Sequence, residues 1–306
     1  MKIAIVGVGG VGGVFGAALA EAGNDVHLIA RGPHLEALRT DGLRITGARE
    51  IHVKPVNATD TPADIGPCDV VLLTVKLWSL QEVAATLAPL LHEDTAIVTL
   101  QNGVEAPDML SEIVDKKHVM GGVAEVSAAI EGPGVVGLHS PYARLRFGEL
   151  DGSDSPRGQA LEAACTDAGV EAELSSDIQT ALWRKFMLLV PMSGFTSVTR
   201  STFGAVCGDP DTRALIEECL REIMAIAQAK GIAVSADDVG RIMSFLGNMP
   251  PQGRASMAID LDRGNRLELP WLSGAVVRFG REMGIPTPVN SFINTALKFH
   301  QDGRAV

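Results

Sequence analysis

Paired thiols are missing from this chain. Its four cysteines, Cys68, Cys165, Cys207 and Cys219, are widely scattered over 306 residues and form no C-x-x-C motif. That spacing offers no thiol pair for redox or metal chemistry and predicts buried or half-buried thiols in a reducing cytoplasm, so a cytoplasmic location is expected. The seven histidines show no H-x-x-x-H or H-E-x-x-H spacing, which leaves a metal site without sequence support. No apolar run reaches membrane-spanning length. The N-terminus enters a strand at once, which predicts no signal peptide. Positive charge is in deficit, with 26 Lys and Arg against 37 Asp and Glu and a formal net charge of −11. Such a balance argues against nucleic acid or anionic lipid as a partner, so an anionic ligand must be held by local positive groups. There is no internal repeat and no low-complexity linker. What remains, 46% hydrophobic and 21% charged residues, is ordinary globular composition, and the length suits two domains better than one.

The most informative stretch is the first thirty-one residues, MKIAIVGVGGVGGVFGAALAEAGNDVHLIAR. Lys2 to Val6 is a β-branched run with the look of a buried strand. It breaks into Gly7-Val8-Gly9-Gly10-Val11-Gly12, which holds the spacing G-x-G-x-x-G. Val14 to Glu21 then predicts a helix, and Val26 to Ile29 a second strand. Gly7 allows the tight turn, Gly9 lets backbone approach a pyrophosphate, and Gly12 lets helix and sheet pack closely. A helix N-terminus presents N–H groups and a positive dipole end to phosphates. Because the motif follows a strand and opens a helix, it predicts a dinucleotide site. An NAD site places Asp or Glu at the tip of the second strand. Here the tip reads His27-Leu28-Ile29-Ala30-Arg31-Gly32, without a carboxylate. Arg31 offers a permanently charged fork suited to a 2′-phosphate, so NADP(H) is favoured over NAD(H). The plainer alternative is a solvated loop arginine.

Further along, the sequence predicts a short helix at Pro33–Thr40 and a strand pair at Leu43–Thr46 and Ile51–Val56. Asp69 to Lys76 is an almost wholly apolar strand, as expected at the centre of a parallel sheet. Ligands in open α/β sheets bind beyond the carboxyl ends of strands, which aims Lys76 at the cofactor crevice, although a lysine closing a strand also reaches solvent easily. An amphipathic helix over Ser79–Leu91 leads to a buried strand at Thr95–Leu100 and then to Gln101-Asn102-Gly103. Asn102 either faces nicotinamide and substrate or forms an ordinary Asn-Gly turn. Val119–Ile130, Gly134–His139 and Ala143–Phe147 predict antiparallel strands, followed by a helix to Ala168 and a strand near Val170–Leu174.

Beyond Ser176 helical periodicity takes over. Helices are predicted at Ile178–Val198, Arg213–Gly231, Ser235–Leu246, Ala255–Asp262, Trp271–Met283 and Pro288–His300, with a capping arrangement between Ser235 and Asp238. The expected organisation is a dinucleotide-binding domain over residues 1–175 and an all-helical domain over residues 176–306, with the active site in the cleft between them. Lys185 interrupts the apolar run Leu182 to Leu189. It either snorkels to solvent or sits in a cleft, where lost hydration would make it a working proton donor. The segment Ser256 to Glu268 is rich in polar groups, and Gly284-Ile285-Pro286-Thr287-Pro288 opens the last helix. Apolar helices in this half could be core or a homodimer interface.

Taken in order, GVGGVGG, Arg31, TVK at Lys76, QNG at Asn102, WRKF at Lys185, the S-M-x-x-D and L-E segments, and GIPTP resemble the ketopantoate reductase family from end to end. The resemblance implies a Rossmann-type α/β N-terminal domain and an all-α C-terminal domain of the 6-phosphogluconate dehydrogenase C-terminal type. It implies NADPH-dependent reduction of 2-dehydropantoate, a small 2-oxo acid. Lys185 falls on the family's general acid and Glu268 on its active-site glutamate, which binds substrate or an adjacent group. Ser256 matches a serine that contacts the substrate carboxylate, Asp260 an acidic residue of the same segment, and Lys76 and Asn102 the strand-end residues bordering cofactor and substrate. Gly7, Val8, Gly9, Gly10, Val11, Gly12 and Arg31 would hold NADP(H).

The chain departs from the family where the biosynthetic reductases carry substrate-binding asparagines: it has Leu189, Ser193 and Phe203. Lost amides remove hydrogen bonds to substrate hydroxyls, and sites built for such bonds discriminate strongly. The chemistry is expected to survive, whereas the identity of the 2-oxo acid is open. Alternatives are a paralogue reducing a different 2-oxo acid, an opine-type or hydroxy-acid dehydrogenase, and an NADP(H)-binding protein without catalysis.

Overall fold

The computed structural model describes residues 1–304. It divides into two compact units, Met1–Gln101 with Glu105–Ile178, and Asn102–Val104 with the residues from Gln179 onward.

The first unit opens with β1 (Lys2–Val6), α1 (Gly10–Glu21), β2 (Asp25–Ile29) and α2 (Gly32–Asp41). β3 (Leu43–Gly47), β4 (Ile51–Val53), β5 (Asn57–Thr59), β6 (Val70–Leu73), α3 (Leu80–Ala84), β7 (Ala96–Thr99) and α4 (Ala106–Ser111) follow. β8 (Val119–Glu125), β9 (Ala128–Gly132), β10 (Val135–Leu138), β11 (Arg144–Glu149), α5 (Pro156–Asp167) and β12 (Glu171–Leu174) complete it.

Eight strands form the main sheet in the order β12-β11-β8-β7-β6-β1-β2-β5. It is parallel from β5 through β8, and β11 turns antiparallel to β8. From β1 the chain moves to β2 on one side, then returns to β6 on the other. That reversal makes the carboxyl end of β1 a topological switch point, where such sheets bind ligands. Every residue of β6 and β7 is buried, which explains why these strands read as continuous apolar runs.

A second sheet, ordered β4-β3-β10-β9, lies on the far side of α1. Sandwiched between two sheets, α1 buries every residue from Gly12 to Leu19, as a helix without a polar face must. This second sheet was only half legible. The run Val119–Ile130 reads as one strand, but the chain breaks after Glu125, and β8 and β9 belong to different sheets. β10 pairs antiparallel with β9 but parallel with β3, so these strands are not the simple antiparallel set the turns suggested.

Two further expectations change. The helix predicted over Ser79–Leu91 is only one α-helical turn, α3, between two 3-10 turns. Thr86 donates its hydroxyl to the Val83 carbonyl at 2.8 Å, and Pro89 has no N–H for the ladder, so the helix does not propagate. α1 also starts four residues before Val14, inside the glycine run, where Gly13 N donates to the Gly9 carbonyl at 2.8 Å.

The second unit is built from α6 (Ile178–Thr199), α7 (Phe203–Gly208), α8 (Pro210–Ala229), α9 (Ala236–Gly247), α10 (Ser256–Arg263), α11 (Ser273–Met283) and α12 (Pro288–Leu297). No strand occurs here among the described residues. Start signals act as written. Asp209 accepts from Thr212 N at 2.8 Å before α8, and Ser235 with Asp238 forms the capping box of α9. The short α7 was not foreseen, because its six residues are too few for periodicity to register. α8 packs against α9, α11 and α12. On α8 the buried Glu222 accepts Val289 N at 2.7 Å, Asn290 N at 3.0 Å and Asn290 Nδ2 at 2.7 Å. A carboxylate from one helix thereby caps the positive end of another, whose own cap residue Thr287 makes no side-chain bond to the helix's leading N–H groups.

Among the described residues, no helix is long and apolar enough to cross a membrane. All four cysteines are free; Cys68, Cys165 and Cys219 are buried and Cys207 half-buried. Burial pushes the Cys68 thiol up to about 11 and the Cys165 thiol up to about 12.

Replacing Glu222 by Ala strands two backbone donors at the start of α12 and leaves Asn290 Nδ2 only the Cys219 sulfur at 3.4 Å. The expected loss is about 3 kcal/mol, read as a lower urea midpoint, and Glu222→Gln should recover part of it.

Candidate functional site

The glycine turn is built from contacts that only bare backbone permits. Gly7 adopts φ +98°, a left-handed conformation that penalises any side chain. It receives a 2.5 Å hydrogen bond from the Thr74 hydroxyl on its carbonyl. Thr74 also donates to the Val6 carbonyl at 3.1 Å, so the end of β6 clamps the end of β1. A side chain on Gly12 would strike the Gly7 carbonyl and Thr74, and one on Gly10 would strike the Ala128 carbonyl of β9. Gly9 is different: a Cβ there would meet nothing within 4 Å. Nothing inside the protein requires glycine at that position, which is the outcome expected where a ligand must approach the backbone. α1 starts from Gly9 with no side-chain cap and no acidic residue in its first turn, leaving its leading N–H groups for an outside acceptor. Val8 is buried and Val11 half-buried. These features fit a bound pyrophosphate. Thr74 was not singled out from the sequence, although its place in the strand-closing Thr-Val-Lys was a usable signal.

Arg31 follows β2 and precedes α2, and its Nη1 lies 3.2 Å from Glu82 Oε1. Lys76 follows β6 and places its Nζ 5.6 Å from the Trp78 ring centroid. Both cations stand at carboxyl ends of strands flanking β1. Behind Arg31, His34 accepts from Gly134 N at its Nδ1, 3.1 Å away, tying α2 to the β9–β10 turn. Burial lowers the His34 pKa from its ordinary 6.5, and the Val8 backbone only partly offsets this. Gln101 closes β7 by donating to the Leu73 and Val75 carbonyls at 2.8 and 3.1 Å. It locks the neighbouring strand ends, a role the motif did not reveal.

Immediately after Gln101 the chain joins the helical unit. Asn102 belongs to that unit, and its Nδ2 donates to Glu268 Oε2 at 3.1 Å. Glu268 is only 5% exposed, so its carboxylate lies inside the protein. Gly103 takes φ +102°, so Asn102 is both the turn residue and the partner of the buried acid. A contact 166 residues apart in sequence carries no local signal.

Lys185 is half-buried on α6. The helix's rotation about its axis is fixed by its neighbours. Trp183 and Phe186 are buried, and Trp183 meets Phe279 of α11 with ring centroids 6.1 Å apart. Arg184 Nε reaches the buried Asp238 of α9 at 2.8 Å. Residue 185 is thereby turned onto the remaining face, in line with half-buried Leu188, Leu189 and Met192 at helical spacing. Ser193 and Phe203 are buried. Phe203 N donates to the Gly253 carbonyl at 2.8 Å, which seats this aromatic beside the segment leading to Ser256. Ser256 is exposed at the first turn of α10. Asp260, half-buried on the same helix, accepts Asn265 Nδ2 at 3.0 Å. Within the helical unit the structure therefore joins Asn102 to Glu268 and sets Ser256 and Asp260 on one short helix.

Comparison with known proteins covers the same ground. The family model Ketopantoate reductase PanE/ApbA matches residues 3–152, and its C-terminal companion matches residues 177–301. The 2-dehydropantoate 2-reductase of Mesorhizobium japonicum is 31% identical over 309 residues, covering 94% of each chain. The crystal structure of a PanE/ApbA family ketopantoate reductase from Ralstonia eutropha JMP134 superimposes with a TM-score of 0.90 at 32% identity, covering 98% of each chain. The ternary structure of D-mandelate dehydrogenase with NADH and anilino(oxo)acetate shares the fold, with a TM-score of 0.89 at 22% identity over 98% of each chain.

Two variants separate packing from ligand approach. Gly12→Ala should cost about 2 kcal/mol of stability through overpacking, whereas Gly9→Ala should keep the melting temperature and lose dinucleotide affinity in a fluorescence titration. His34 supplies a pH signature. With its folded pKa depressed, the unfolded chain binds the extra proton, so stability contributed by neutral His34 is complete above its ordinary pKa and is lost as pH falls toward the folded value. The drop in urea midpoint between about pH 7.5 and about pH 5.5 should be smaller in His34→Asn than in the parent chain.

Proposed function

Because this chain belongs to the ketopantoate reductase family, we propose that it reduces 2-dehydropantoate to pantoate with NADPH, using Lys185 as the general acid. The coarser assignment, a dinucleotide-dependent oxidoreductase, follows from the family itself. The observation that carries the finer reading is the Asn102–Glu268 hydrogen bond, with its carboxylate buried, in the same unit as Lys185. Burying a carboxylate is costly, and the partner that holds this one, Asn102, comes directly after Gln101 and just beyond the last residue of β7, Thr99, at the carboxyl end where open α/β sheets bind ligands.

In this reading Gly7, Val8, Gly9, Gly10, Val11 and Gly12 offer backbone to the pyrophosphate, Arg31 holds the 2′-phosphate, and Lys76 borders cofactor and substrate. When bound, the dihydronicotinamide supplies a hydride to the carbonyl carbon of the 2-oxo acid. Negative charge then grows on the carbonyl oxygen. The Lys185 ammonium stabilises that charge and delivers the proton, leaving a neutral amine that solvent reprotonates. Glu268 fixes the Asn102 amide, whose remaining donor and acceptor orient the substrate. Ser256 takes the substrate carboxylate, and Asp260 holds the turn that follows its helix through Asn265.

A second reading, a paralogue acting on a more apolar 2-oxo acid, is favoured by one observation. Leu188, Leu189 and Met192 extend the half-buried face of Lys185, and apolar side chains there give substrate hydroxyls no partner. The test follows NADPH absorbance with ketopantoate and a panel of branched and aromatic 2-oxo acids, with NADH in parallel. The highest kcat/KM on ketopantoate sustains the first reading, and the highest value on an apolar acid replaces it with the second. Tight NADPH binding without turnover on any of them would sink both. Lys185→Ala should lower kcat on the order of a hundredfold to ten-thousandfold while leaving the NADPH dissociation constant unchanged, and an active variant excludes the general-acid role.

A further inference from the structure

The tip of β2 carries no carboxylate, yet one arrives from elsewhere. Glu82, in the first turn of α3, places Oε1 3.2 Å from Arg31 Nη1 across 51 residues of sequence. The sheet order explains the meeting. Arg31 leaves β2 and Glu82 lies on the segment leaving β6, and these strands flank β1. The ion pair therefore links the two sides of the strand whose carboxyl end carries the glycine turn. Its backbone support is fixed, since Leu80 and Val83 on either side of Glu82 are buried, while the Arg31 and Glu82 side chains are each 70% exposed. An ion pair so open contributes little to folding. Its physical effect falls on whatever charge a ligand brings to Arg31.

We propose that Glu82 sets the cofactor preference of this chain by competing with a 2′-phosphate for Arg31 and by favouring a 2′-hydroxyl in its place. The inference rests on the assignment of Arg31 to the 2′ position of the cofactor. Glu82 occupies a single Nη1 donor of the guanidinium, so a phosphate that engages an edge containing Nη1 must displace the carboxylate, and one that engages the remaining donors must sit beside it. Two anions then sit within a screening length of each other. A 2′-hydroxyl meets neither obstacle, because it can donate to the carboxylate, as it does at the acidic strand tip of NAD sites. Glu82 thus opposes Arg31: the arginine selects NADPH, and the glutamate narrows that selection.

The experiment is equilibrium titration of the full chain with NADPH, NADH, adenosine 2′-phosphate and adenosine, for the parent, Glu82→Gln and Arg31→Ala. Glu82→Gln should tighten NADPH and adenosine 2′-phosphate about fivefold, the scale of one exposed charge pair, without tightening NADH or adenosine. The gain should shrink in high salt. An unchanged or smaller NADPH-to-NADH affinity ratio in Glu82→Gln overturns the inference. Arg31→Ala tests the premise separately. If it removes the preference for the 2′-phosphate while Glu82→Gln has no effect, Arg31 keeps its role and Glu82 has no part in cofactor selection. If it leaves the preference intact, both assignments fall.

Discussion

One close approach governs the first unit: the end of β1, the start of α1 and the end of β6 converge where no side chain fits. The Thr74 hydroxyl on the Gly7 carbonyl and the bare Cα of Gly12 hold the turn so that α1 starts from Gly9 with its leading N–H groups uncapped. A side chain at Gly12 would force the helix away from the sheet, and the anion-binding end would lose its aim. The second sheet depends on the same constraint from the other side, since β9 brings the Ala128 carbonyl against Gly10 and β10 brings Val136 against Gly13. Gly10 and Gly13, on either side of Gly12, are thus explained by the protein's own packing, whereas a Cβ on Gly9 would meet no protein atom within 4 Å.

The helical unit is arranged around a different requirement, the seating of a buried acid. Glu268 depends on Asn102, a residue that the chain delivers to this unit from the strand-rich half of the sequence. Lys185 depends on its neighbours along α6: the buried Trp183 and Phe186 and the Arg184–Asp238 pair fix the rotation that turns residue 185 to its own face. Polar groups in such positions cost stability unless paired: Glu268 is held by Asn102, and the buried Asp238 by Arg184. Glu222 at the head of α12 follows the same rule with a purely structural result.

Much of this was legible in residue order. The glycine motif, the apolar strands β6 and β7, the capping box at Ser235 and the helical character of the second half are local patterns, and they appear where their periods predict. The failures are also physical. The helix after Lys76 stops short because Thr86 and Pro89 compete with its ladder, a conflict that hydrophobic spacing does not register. β8 and β9 read as one strand because both are apolar enough, and only the sheets they join separate them.

The sequence by itself determined the class of cofactor turn, the absence of a carboxylate at the β2 tip and the two kinds of architecture, because each depends on residues within a few positions of one another. The tertiary structure decided what two of the carboxylates meet. Glu268 and Glu82 are two among 37 acidic residues; the L-E segment marks Glu268 only through its family resemblance, and nothing in its immediate neighbours marks Glu82. One is singled out by a partner 166 residues away and the other by a partner 51 residues away, since electrostatic interaction depends on distance through space and not on separation along the chain.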